Sequence, residues 1–148
     1  MTYPDVQATA VPEPEELEAG ALAALSEADF LARQRVLLLA EQAEQASQLE
    51  GLLIEAETLA RESEPGDTQF DEESGEGGTA TVERERNLTL AAQARAALLE
   101  TEAALERLAA GTYGRCESCQ EPIGRARLQV IPSARLCVAC KSGGLSRR

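Results

Sequence analysis

"YGRCESCQEPIGRARLQVIPSARLCVAC", Tyr113 to Cys140, holds every cysteine of a 148-residue chain. The spacing is Cys116-x2-Cys119, seventeen residues, then Cys137-x2-Cys140. Two residues between thiols let one tight turn deliver both sulfurs to a single ion, and a second such turn completes a tetrahedron. A shell of four thiolates has no open position for water, so the zinc expected on Cys116, Cys119, Cys137 and Cys140 is one structural ion. The chain contains no histidine, which excludes a His-rich catalytic zinc site.

Two other uses of the cysteines compete with zinc. Paired CxxC disulfides fit poorly in a reducing compartment and would strain the short rings. An iron–sulfur cluster is compatible with the ligand type alone. The apolar stock of the cysteine module is small: Ile123, Leu128, Val130, Ile131, Leu136 and Val138. Metal-binding free energy is therefore expected to supply much of its folding free energy.

Charge divides the chain in two. The formal net charge is −12. Residues 1–110 carry 24 acids and 7 bases, whereas residues 111–148 carry 2 acids and 7 bases. An acidic chain is a poor non-specific DNA binder, because Lys and Arg must displace the counterions of the duplex. No sequence-specific DNA binding is expected either. No apolar run approaches the roughly 20 residues of a membrane span. The opening "MTYPDVQATAVPEPEELEAG" lacks the basic and apolar regions of a signal peptide, so a cytoplasmic location is expected.

The apolar content is mostly Ala and Leu, with two Phe, two Tyr and no Trp. Such a composition suits long helices better than a large globular core. Residues 1–25 read as a loosely ordered leader, with a short helix possible after Pro14. Ser26, with Asp29 three residues on, has the form of a helix N-cap. From there to about Ser63 the chain has no Pro and one Gly, Gly51. Val36, Leu39, Ala43, Ala46, Leu49, Leu53, Ala56 and Ala60 form an apolar stripe at helical spacing. "EPGDTQFDEESGEGGTAT" then breaks the helix. Eight acids and no base occur from Glu62 through Glu83. A second helix is expected from near Thr79 or Thr81 to about Ala110, with a seam through Ala91, Ala94, Leu98, Thr101, Leu105 and Leu108.

The expected fold is thus mainly α. Residues 26–110 form a long antiparallel coiled-coil hairpin with an acidic tip loop at about 62–80. Residues 111–148 form a small four-cysteine zinc lobe and short tail. Pairing of each helix with another copy of the chain is the alternative, and the breaker-rich turn favours a monomeric hairpin.

"LERLAAGTYGRCESCQEPIGRARLQVIPSARLCVAC" resembles the zinc finger of the TraR/DksA family of bacterial transcription regulators. The matching features are Gly111, Tyr113, Gly114 and Cys116 at the entry, and Ile123, Gly124, Arg127 and Leu128 at the centre. Pro132, Ala134, Leu136 and Cys137 match at the exit. "ERERN" at 83–87 is similar to the start of the family's second coiled-coil helix. The resemblance spans roughly residues 26–141.

It implies a non-catalytic regulator that binds RNA polymerase directly. The coiled coil would enter the secondary channel, with tip acids near the active centre. Aligned on "ERER", "EPGDTQ" falls on the family's Asp-x-x-Asp-x-Ala tip. Glu64 then stands for the first Asp, Asp67 matches the second, and Gln69 replaces the Ala. Asp71 is an alternative tip acid. Arg115, Arg125, Arg127 and Arg135 form a basic cluster suited to docking on an acidic partner surface. The competing reading is a zinc-ribbon adaptor that binds some other protein. A hydrolase is disfavoured by the lack of histidine, of an activated-nucleophile motif and of an open metal position.

Overall fold

The computed structural model describes residues 19–63 and 76–143. Among these residues five helices follow in order: α1 (Ala19–Ala24), α2 (Glu27–Glu62), α3 (Glu76–Ala110), α4 (Arg125–Val130) and α5 (Val138–Gly143). Among the described residues there is no strand beyond an isolated bridge between Arg115 and Pro122. None of these helices is long and apolar enough to cross a membrane.

Ser26 starts α2 as its sequence suggests. Its Oγ accepts from the Asp29 N–H at 3.1 Å, and its hydroxyl donates to Asp29 Oδ2 at 2.6 Å. The Ser26 cap satisfies a donor that a helix start leaves free. Helix α2 then runs 36 residues, through Gly51, to Glu62. Helix α3 begins at Glu76, ahead of the expected Thr79, and takes Gly77 and Gly78 into its first turn. Its end is set by Gly111 at φ 75. Thr112 N–H reaches Arg107 O at 3.0 Å and Gly111 N–H reaches Leu108 O at 3.3 Å. Both bonds serve carbonyls that the helix terminus would otherwise leave free, and the positive φ favours glycine.

Helices α2 and α3 pack along one another. Their polar partners run in opposite order: Gln42 meets Glu102, Gln45 meets Thr101, and Asn87 meets Glu55. The pair is therefore an antiparallel rod about 54 Å long at about 1.5 Å per residue.

The α3 seam lies where the heptads put it. Ala91, Ala94, Thr101 and Ala104 are buried, and Leu98, Leu105 and Leu108 are half-buried. The α2 seam keeps to the expected stripe at Leu49, Ala56 and Ala60 and departs from it elsewhere. Its buried residues are Phe30, Gln34, Leu38 and Ala56, with Gln45, Leu49 and Leu52 half-buried. Val36 and Leu39 face outward, 44% and 45% exposed, as do Ala43, Ala46 and Leu53. Helix α2 is thus apolar on two faces, and the face bearing glutamines meets α3.

Residues 19–24, in the part of the leader where a short helix after Pro14 was possible, form α1 and contribute Leu22 to the finger. Residues 1–18 lie outside the described residues. The cluster at this end of the rod comprises Leu22, Phe30, Cys116, Ile123 and Leu128, flanked by Tyr113, Ala134 and Leu136. Of the remaining apolar stock of the finger, Val130, Ile131 and Val138 are 76%, 43% and 61% exposed.

Candidate metal centre and its surroundings

The two CxxC pairs meet. Sγ atoms of Cys116, Cys119, Cys137 and Cys140 all lie within 4.8 Å of one another. Cys119 Sγ and Cys137 Sγ are 3.8 Å apart. A tetrahedron with metal–sulfur bonds of about 2.3 Å has sulfur–sulfur edges of about 3.8 Å. All four thiols are free. The donor set and its spacing therefore fit one zinc ion with a closed shell.

Local backbone geometry presents the sulfurs. In the first knuckle, Cys116 N–H donates to Glu121 O and Gln120 N–H to Cys116 O, both at 2.9 Å. The turn requires a positive φ, and Gln120 supplies it at 61. In the second, Cys140 N–H points at Cys137 Sγ at 3.4 Å, and Lys141 N–H donates to Cys137 O at 3.0 Å. The knuckles are joined directly, because Cys137 N–H points at Cys116 Sγ at 3.4 Å. That backbone donor, with the one from Cys119, pulls the Cys116 thiol down to about 6. A buried sulfur that ionises readily is poised to bind a cation.

Three polar ties fix the finger to the rod. Arg107 on α3 donates to Ser133 O at 3.3 Å and pairs with Glu117 at 3.6 Å. Tyr113 donates its hydroxyl to Pro132 O at 2.7 Å and sits 3.0 Å from Oε1 of the buried Gln34 on α2. Burial pushes the Tyr113 phenol above its ordinary range, so it remains a neutral donor. Arg125 donates to Leu22 O at 3.2 Å and to Leu25 O at 2.8 Å. It also pairs with Glu27 at 2.7 Å and lies 4.6 Å from the Phe30 ring centre.

The basic cluster of the sequence divides accordingly. Arg125 is engaged as above, and Arg127 Nε donates to Leu136 O at 3.0 Å inside the finger. Arg115 is exposed, and Arg135 is half-exposed beside Glu117 at 3.6 Å. Glu64, Asp67 and Asp71 lie outside the described residues. Sequence reasoning missed Leu22, Phe30 and Gln34 as neighbours of the metal lobe. The apolar run "AGALAAL" before the Ser26 cap was the available signal.

Residues 111–143 match the family described as Prokaryotic dksA/traR C4-type zinc finger. The whole fold is similar to the structure of transcription factor DksA2 from Pseudomonas aeruginosa. The TM-score is 0.72 at 30% identity, covering 86% of this chain and 95% of that one. The chain belongs to the DksA/TraR family. The match extends over both rod and finger, so membership does not rest on the cysteines alone. The chain is also 39% identical over 97 residues to an uncharacterized protein of Aquifex aeolicus (strain VF5), covering 66% of each. It is 40% identical over 65 residues to the RNA polymerase-binding transcription factor DksA of Haemophilus influenzae (strain ATCC 51907 / DSM 11121 / KW20 / Rd). That alignment covers 43% of this chain and 45% of the relative, under half of each. As a DksA/TraR protein with four converging thiols, the chain holds one structural zinc ion.

Proposed function

We propose that this DksA/TraR protein is a non-catalytic transcription regulator that binds RNA polymerase directly. The observation that carries this reading is the likeness to DksA2 across 86% of the chain, rod and finger together. The polymerase-binding relative from Haemophilus influenzae supports the choice of partner. The α2–α3 rod inserts into the secondary channel of the enzyme, and the acidic segment joining the helices approaches the active centre. Glu64, Asp67 and Asp71 are the acids assigned to that approach. Their role is electrostatic: carboxylates near a bound Mg²⁺ perturb its ligation without doing chemistry themselves.

Docking of the lobe falls to Arg115 and Arg135, whose guanidinium groups are the more exposed of the basic cluster. Arg125 and Arg127 serve docking by holding the finger in shape. The protein acts as a cytoplasmic monomer and reads no DNA sequence. Retention of core RNA polymerase by the tagged, zinc-loaded protein at moderate salt tests the reading. Failure to retain either core or holoenzyme would favour the zinc-ribbon adaptor reading instead.

A further inference from the structure

Helix α1 has six residues. An isolated helix of that length is unstable in water, because nucleation costs more than one turn of hydrogen bonds returns. Its existence depends on what it touches. Leu22, 2% exposed, is buried with Cys116, Ile123 and Leu128 of the finger. The carbonyls of Leu22 and Leu25, at the end where a helix leaves its acceptors unserved, both receive the Arg125 guanidinium. A cation at a helix C-terminus is also favoured by the helix dipole.

Arg125 opens α4, and α4 lies wholly within the seventeen-residue link between the two CxxC pairs. That link has two buried apolar residues, Ile123 and Leu128. Its course is therefore set by closure of both knuckles on the metal. The chain of dependence runs from the four sulfurs to α4, from α4 to Arg125, and from Arg125 and Leu128 to α1. The rod has its own seam and meets this cluster through Phe30 of α2.

We infer that α1 is a metal-dependent strap: zinc in the finger holds residues 19–25 against α4, and loss of zinc releases them while the α2–α3 rod stays folded. The released strap is continuous with residues 1–18, which carry five acids and no base. The inference does not depend on polymerase binding.

Hydrogen exchange on the full-length, zinc-loaded protein tests it, with thiols kept reduced. Amides of residues 19–25 should be protected, and removal of zinc by a strong chelator should speed their exchange at least about tenfold. Amides in the middle of α3 should keep their protection. Arg125→Gln, confirmed to retain one zinc, should show the same loss at 19–25 with the metal still bound. Should that variant fail to hold zinc, Leu22→Ala replaces it, since Leu22 lies outside the finger sequence. Three results would overturn the inference: no protection at 19–25 in the zinc-loaded parent, protection that survives chelation, or protection that survives in a zinc-loaded variant.

Discussion

Thr101, fully buried on α3, donates its hydroxyl to Gln45 Oε1 of α2 at 2.9 Å. The same hydroxyl sits 3.1 Å from Ala97 O, so one proton lies between two acceptors. Removing it leaves Gln45 facing an apolar seam. Thr101→Val should lower the stability of the rod by about 0.5–1.5 kcal/mol, the net worth of one hydrogen bond. Gln45 Nε2 also donates to Glu41 Oε1 at 3.2 Å, so the pair is isolated by a cycle: Thr101→Val should cost less in a Gln45→Leu background, where no amide oxygen is left unpaired, than in the parent. Urea unfolding followed by helical circular dichroism measures both. Equal costs of Thr101→Val in the two backgrounds would show that the pair is not coupled.

The reading of α3 from sequence succeeded and that of α2 half failed, for one physical reason. On α3 the heptad through Ala91, Ala94 and Thr101 is the seam that became buried. On α2 two apolar stripes compete. The one without polar interruptions, through Val36, Leu39, Ala43 and Ala46, lost to one that mixes Phe30 and Leu38 with Gln34, Gln42 and Gln45. Those amides look like surface until their partners are known. Gln34 meets Tyr113, Gln42 meets Glu102 and Gln45 meets Thr101, each from another part of the chain. Periodicity records where apolar groups recur but not which polar groups will find each other. The zinc ligands were legible because their chemistry is local: two residues of spacing, twice. The strap α1 was not, since Leu22 and Arg125 are 103 positions apart.

Glu41 sits on the seam side of α2 with Oε2 buried and without a hydrogen-bond partner among the described residues. Burial, and secondarily the charge of Glu44, raise its pKa above the ordinary value of 4.5. A carboxyl raised by folding costs stability when ionised. That cost is present above its folded pKa and disappears as pH falls below the unfolded value. Glu41→Gln should therefore raise the melting temperature at pH 7, with the gain shrinking as pH falls toward 4. A gain independent of pH would contradict this.

Gly51 is exposed in the interior of α2, and an added methyl group there would meet nothing within 4 Å. Gly51→Ala should stabilise the rod by about 0.5–1 kcal/mol, through the chain entropy glycine loses on becoming helical. The same unfolding measurement reads it, and a loss of stability would mean that α2 bends at this position.

One zinc per chain is expected from elemental analysis of protein purified without added metal. Cys137→Ser removes a sulfur 3.8 Å from Cys119 Sγ and should abolish stable zinc retention. Most of the helical signal should persist, since α2 and α3 account for 36 and 35 residues. Collapse of the whole helical signal would show that the rod depends on the finger.

Within the proposed function, binding and effect should separate. Asp67→Asn keeps side-chain size and removes a charge from the acidic segment between α2 and α3. Affinity for polymerase should stay within about threefold, under ~1 kcal/mol, while most of the effect on transcription in vitro is lost. Glu64→Gln and Asp71→Asn should be milder. A variant that binds and regulates like the parent would make Asp67 a solvated loop residue. Parallel loss of binding and effect would make it an anchor.

The ties of Arg107, Tyr113 and Arg125 at the base of the rod also govern where its far end points. A single tie is a pivot. Several ties, reaching α3, α2 and the α1–α2 junction from different sides, remove the rotations a pivot allows. Leverage makes this matter: on a rod of about 54 Å, at about 1.5 Å per residue, a tilt of about 5° at the base carries the far end about 5 Å sideways. That is more than a side-chain contact can span. The finger is the mount of a long pointer, and a weakened tie near the metal would be felt most at the end it never touches.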